Sequence, residues 1–326
     1  MNRRTYLMSV AASGSMLLLI LDSRCALENS QAAMELCFHS VIPSLFPFLF
    51  LSTLVTTSIW GGSGKWLRAL GWMLQLPSGT ESLVLSGFLG GYPAGAAAIG
   101  DAFRRGGMNR KDGERLLCFC SNAGPAFLFG MVGPQFPEKS MIWVLWGIHI
   151  LSAVLVGALI PYPTELINMP EIKKCSLSQT MMQSVKTMGM ICGWIFLFRI
   201  LLGFLDRWIF WLFPDSLRII LWGLLELANG CCALNQISDI SLRFVIASAM
   251  LSFGGFCVLL QTSSVVSGLS IRGYLVGKMM QTLFSVLIAA AFCFGHGEVT
   301  CFISVLFLIL PKIRKKSSSI HSLSGV

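Results

Sequence analysis

The chain has 326 residues, 55% of them hydrophobic and 12% charged, with a formal net charge of +9 and a mean hydropathy of +0.73. That composition excludes a soluble globular domain and a disordered chain, and marks a polytopic membrane protein with one integral membrane domain over 1–326. The basic residues are dispersed and carry no aromatic platform, which also excludes a nucleic-acid surface.

The first element is the apolar run Leu7 to Leu21 behind Arg3 and Arg4. It has the n- and h-regions of a signal peptide. Asp22-Ser23-Arg24-Cys25 offers no small-x-small cleavage site, so the run reads as an uncleaved helix, with a cleaved signal as the alternative. Counting 5–21, windows long enough to cross a bilayer fall near 36–60, 116–135, 140–160, 187–213, 243–266, 275–294 and 298–311, about eight crossings in all. Two more apolar segments, 80–100 and 218–236, are broken by Gly, Pro or Asn and read as re-entrant hairpins that enter and leave on one side.

Charge supports this topology. With both termini in the cytoplasm, 18 of the 24 basic residues fall in inside loops, Arg115, Lys278 and the Lys312–Lys316 cluster among them. Arg24, Lys139, Arg207, Arg218 and Arg243 fall outside, and Arg199 lies within a span. This satisfies the positive-inside rule. Making either hairpin a full crossing would put the basic 312–326 tail outside.

The broken segments form a repeat. Aligning Gly87 with Gly223 matches the hairpins, and aligning Ser121 with Ser252 matches two helices broken at Ser-x-x-Gly. Repeat one covers about 36–160 and repeat two about 187–294. In the charge frame above the hairpins open from opposite faces, so the repeats are inverted. Broken helices at membrane depth occur where they line a cavity, and paired ones in two halves point to a transporter's binding site.

No hydrolytic, redox or metal-spaced constellation occurs, so the sequence predicts neither an enzyme nor a metal or cofactor site. Its eleven cysteines lie mostly in apolar segments as small hydrophobes, with Cys25 and Cys37 the one candidate pair. Two charges fall inside spans, Arg199 and Glu226. An intramembrane charge costs at least a few kcal/mol and so faces a partner or a cavity. Here that means either a mutual pair or a solute site in which Arg199 offers a fork to a carboxylate. Glu226 is the one residue suited to a coupling ion, H+ or Na+. The residues at the breaks complete the candidate substrate site: Tyr92, Pro93, Gly95, Ser121, Asn122, Gly124, Asn229, Gly230, Ser252, Gly255 and Gln261. Half-helix N-termini at such breaks favour a small anionic or polar solute.

These fragments carry a resemblance. Gly90-Gly91-Tyr92-Pro93-Ala94-Gly95, Ser121-Asn122-Ala123-Gly124-Pro125 and Ser252-Phe253-Gly254-Gly255 followed by Gln261 resemble the YlbJ-like sporulation integral membrane proteins. So do Ile42-Pro43-Ser44-Leu45-Phe46-Pro47 and Glu226–Gly230. That family shares the Gate domain of nucleoside transporters and the ferrous-iron permease. The resemblance implies transport of dipicolinic acid across the outer forespore membrane from the mother cell. Its alternatives are a non-transporting membrane organiser needed for spore maturation and a nucleoside-type carrier. The lipid bilayer and a small anionic solute are the expected partners, and a homo-oligomer is compatible with the chain.

Overall fold

The computed structural model describes residues 3–59, 71, 73, 74, 76, 80–160 and 176–295. Among them there are helices and turns and no strand. Helix α1 (Arg3–Leu21) leads into α2 (Ser23–Leu36), which passes through a π turn at Cys37–Val41 into α3 (Ile42–Ile59). Pro43 and Pro47 each withdraw a backbone donor there, and a helix accommodates that by local re-registering. Ser44 Oγ donates to the Ser40 carbonyl at 2.6 Å within the same stretch.

Next comes the first hairpin, α4 (Glu81–Leu89) and α5 (Ala94–Arg104), then α6 (Arg110–Cys120) and, after a break, the short α7 (Pro125–Phe127), which continues as a π turn at Leu128–Val132. Helix α8 (Lys139–Leu159) closes this half. The second half repeats the order: α9 (Leu177–Trp208), a hairpin of α10 (Asp215–Leu225) and α11 (Leu227–Cys232), then α12 (Ile240–Phe253) broken from α13 (Gly255–Val265), and α14 (Arg272–Cys293).

The matching order has matching local causes. Helices α6 and α12 both start on an Asx N-cap. Asn109 Oδ1 accepts from the Asp112 N–H at 2.8 Å, and Asp239 Oδ1 from the Leu242 N–H at 2.8 Å, each satisfying an otherwise orphaned donor. Each hairpin crosses its own arms glycine on glycine. A Cβ on Gly95 would strike the Gly87 backbone, and one on Gly230 would strike that of Gly223. The Gly87–Gly223 alignment is therefore a match of packing positions.

Helix α14 packs against α6, α8 and α12, and α3 packs against α9. The second arm of each hairpin reaches the broken helix of the other half: α5 touches α13, and α11 touches the π turn after α7. Among the described residues, six segments are long and apolar enough to cross a membrane: Ser23–Leu51, Arg110–Gln135, Lys139–Leu159, Leu177–Trp208, Ile240–Val265 and Arg272–Cys293. Of the eight expected windows, 5–21 retains only the shorter apolar piece Ala12–Leu21. The window at 298–311 and the 312–326 tail lie outside the described residues.

Two expectations are corrected. Lys278 and Arg115 are not loop charges. Helix α14 begins at Arg272, which places Lys278 in its second turn at 0% exposure. Arg115 is buried on α6 and donates to the carbonyls of Leu74, Gly157 and Ile160. The candidate pair Cys25 and Cys37 is not formed: both thiols are free, and Cys37 faces Cys192 on α9 instead.

Candidate functional site

Four chain breaks converge in the interior, and each is made differently. In the first hairpin, Gly91 takes a left-handed φ of 74° and the Tyr92–Pro93 peptide is cis. In α6–α7 the chain turns extended at Ser121, and Pro125, which has no N–H to give, starts the next helix. In the second hairpin Glu226 is extended at φ −141°. In α12–α13 the break is Gly254 at φ 83°, a conformation open to glycine and costly for residues with a Cβ.

A cavity lies among these breaks. It is lined by Val41, Leu45, Phe48 and Leu49 of α3, Leu89 to Tyr92 of the first hairpin, and Ala123, Gly124, Ala126 and Phe127 of α6–α7. Ile191 and Ile195 of α9, Glu226 to Ala228 of the second hairpin, and Val258 and Gln261 of α13 complete the wall. About 50 Å³ is open to the centres of water-sized molecules, room for a few waters. Of the sequence candidates, Tyr92, Gly124, Glu226 and Gln261 therefore face the cavity. Pro93, Gly95, Ser121, Asn122, Asn229, Gly230, Ser252 and Gly255 do not line it and shape it from behind.

Glu226 is buried at the start of α11 and caps it. Its Oε1 accepts from the Ala228 N–H at 3.0 Å and its Oε2 from the Asn229 N–H at 2.7 Å. The Asn229 side-chain amide adds a bond to Oε2 at 2.6 Å. An N-terminal carboxylate with three donors is stabilised by both hydrogen bonding and the helix dipole. Arg199 is not its partner: no ion pair within 4.0 Å joins them among the described residues. The Arg199 guanidinium lies instead over the Trp222 ring, 5.9 Å from its centroid.

Behind the cavity sits a polar cluster in which Tyr92 and Asn122 are sequence candidates and Lys278 and Gln281 are not. The ammonium of Lys278 donates to Gln281 Oε1 at 2.7 Å, Tyr92 Oη at 2.9 Å and Asn122 Oδ1 at 3.3 Å. Gln281 Nε2 donates to Asn122 Oδ1 at 2.9 Å and to the His149 carbonyl at 3.3 Å. Asn122 is held in turn by its bond to the Phe119 carbonyl at 2.7 Å. Tyr92 Oη donates onward to the Leu251 carbonyl at 3.2 Å.

His149, absent from the sequence candidates, bridges two breaks. Its Nε2 accepts from the Ala123 N–H at 3.1 Å and its Nδ1 faces Ser252 Oγ at 3.4 Å. Accepting at Nε2 requires the neutral ring with its proton on Nδ1, which then donates to the serine. Ser121 is buried beside Tyr274.

A signal for the cluster was available in the periodicity of α14. Lys278, Gln281, Ser285 and Ala289 are fully buried, at spacings of three, four and four. Val276, Met279, Leu283 and Leu287 repeat those spacings on the exposed face. The helix is polar inward and apolar outward, the reverse of a helix in water.

No protein-family model and no solved structure matches the chain. It is similar to the sporulation integral membrane protein YlbJ of Bacillus subtilis (strain 168), with 24% identity in a match that covers 79% of this chain and 75% of that protein. Over most of both chains, then, this integral membrane protein resembles YlbJ, in agreement with the motifs at its four breaks.

Proposed function

We propose that the protein is a transporter of a small organic anion acting in sporulation, with dipicolinic acid as the solute and the outer forespore membrane as its place. The observation that carries the transport reading is that three chain breaks, at Gly91, Ala123–Gly124 and Glu226, line one cavity together with Val258 and Gln261 of the helix that follows the fourth. Irregular backbone at membrane depth is costly unless it lines such a space. The similarity to a sporulation membrane protein supports the setting. A buried ammonium held behind the cavity wall by Tyr92 supports an anionic solute over a neutral one.

In this reading Tyr92 and Gln261 offer polar contacts to the solute, and the apolar remainder of the wall matches the character of an aromatic face. Glu226 keeps its own charge satisfied by capping α11, so it does not repel the solute as a bare carboxylate would. The two repeats are inverted, and rocking of one against the other alternates access from the mother-cell side, where both termini lie.

The test is flux of dipicolinate, compared with uridine, into proteoliposomes carrying the full chain. Saturable dipicolinate uptake that is reduced at least about tenfold by Gln261→Leu, the loss expected from about 1.4 kcal/mol, supports the proposal. Preference for uridine would point to a nucleoside-type carrier, and absence of flux for both to a membrane organiser.

A further inference from the structure

Lys278 is a fully buried lysine whose charge has no carboxylate within 4.0 Å among the described residues. Buried charges are ordinarily paired. Here each of the three N–H donors finds a neutral oxygen, on Gln281, Tyr92 and Asn122. Two aromatic faces close the shell, with Nζ 4.9 Å from the Tyr92 ring centroid and 5.9 Å from that of Tyr274. Neutral oxygens and aromatic faces make a cage suited to a cation, and the protein supplies that cation on a tether.

The cage joins separate breaks of the chain. Tyr92 belongs to the break of the first hairpin and Asn122 to that of α6–α7. Tyr92 Oη also holds the carbonyl of Leu251, three residues before Gly254, and its ring fills the space in which a Cβ on Gly254 would lie. One ammonium is thus linked to three of the four breaks.

We propose that Lys278 is the coupling cation of this transporter, so that the co-transported ion is a proton carried on Nζ and no sodium is used. The inference rests on the transport reading and names its coupling ion. The step is a proton transfer to water: the N–H bond breaks, its electron pair stays on nitrogen, and water becomes hydronium. The neutral amine has two donors and one lone pair, so it no longer serves three acceptors. Tyr92 can then turn its hydroxyl proton from the Leu251 carbonyl to the amine, which frees the α12–α13 break. The titratable groups around Nζ are Tyr92 from the hairpin, Tyr274 on α14 itself, Cys120 on α6 and His149 on α8, the last with its ring committed elsewhere. Helix α12 contributes no titratable group there and meets α14 through Ser248 and Ser285.

The test is hydrogen exchange at Leu251–Gly255 in the full-length protein in phosphatidylethanolamine–phosphatidylglycerol vesicles, corrected for intrinsic pH dependence. Raising the pH should speed exchange by at least about fivefold, the low end of ordinary coupling, equally in sodium and in choline. Lys278→Met should abolish the pH response. Lys278→Arg, which cannot release its proton, should hold the low-pH pattern at every pH. A sodium requirement, or a pH response that survives either substitution, would overturn the proposal; the arginine variant decides the matter if the methionine one fails to fold. Failure of dipicolinate flux with these exchange results intact would count against the solute alone.

Discussion

The two hairpins share a backbone and differ in charge. Both cross their arms glycine on glycine, and both present a break to the same cavity. The second break carries an anion of its own, Glu226, and neutralises it with three donors from α11. The first carries no ionised side chain and receives its charge from α14 through Lys278 and Tyr92. The two hairpins therefore agree in what packing requires and differ in their electrostatics. A charge satisfied inside its own hairpin is a fastening. One delivered from another helix makes two elements depend on each other.

The largest effects should come from what the hairpins share. Replacing Gly95 or Gly230 by leucine drives a side chain into backbone, and even alanine exceeds the available space, an overpacking cost of about 1–3 kcal/mol or more. Both leucine variants should lose the monodisperse peak on size exclusion after detergent extraction. Sensitivity at one crossing only would break the packing equivalence of the two hairpins.

Next in size is the second hairpin's own charge. Glu226→Ala leaves the buried donors of the cap, the N–H groups of Ala228 and Asn229, without an acceptor and should cost about 2–3 kcal/mol. Glu226→Gln keeps the shape and one acceptor oxygen and should cost less than half of that. Thermal unfolding in detergent reads both, and equal losses would show that the carboxylate's charge, not its hydrogen bonds, secures α11.

A smaller effect is expected where the halves meet at His149. His149→Ala strands the Ala123 N–H, at about 1–2 kcal/mol, and a double-mutant cycle with Ser252→Ala should return a coupling of about 0.5 kcal/mol or more. The smallest should come from Arg199→Lys, which trades one cation over Trp222 for another at under about 1 kcal/mol and should change flux less than twofold. A large flux loss there would return Arg199 to the solute path and weaken the assignment of charge to Lys278.

The backbone of this fold was legible in the residues, and its electrostatics only in part. Gly87, Gly95, Gly223 and Gly230 announce themselves because close approach admits no side chain, and the Pro125 and Gly254 breaks because the helix cannot continue there. Arg199 reads as central because it is embedded in an apolar window. Helix α9 has 32 residues, about 48 Å at 1.5 Å per residue, well over the ~30 Å of a hydrocarbon core. Arg199 lies in its last third, seven residues or about 10 Å before Asp206, Arg207 and Trp208, residues typical of an interface. Lys278 reads as a loop charge for the converse reason. It stands near a helix start, where a lysine is usually a flanking charge, and only its period with Gln281 and Ser285 places it inside.

That inward stripe bears on how the protein is made. Lys278 lies six residues after the first residue of α14, about 9 Å along the axis, within reach of the headgroups by snorkelling. The helix can therefore enter the bilayer with its ammonium at the surface and draw it inward only after α6, α8 and the first hairpin have assembled the cage. Biogenesis then has a built-in order, with this helix docking late. A helix that stalls before docking keeps its ammonium at the surface but leaves Gln281 and Ser285, both buried in the finished fold, facing lipid.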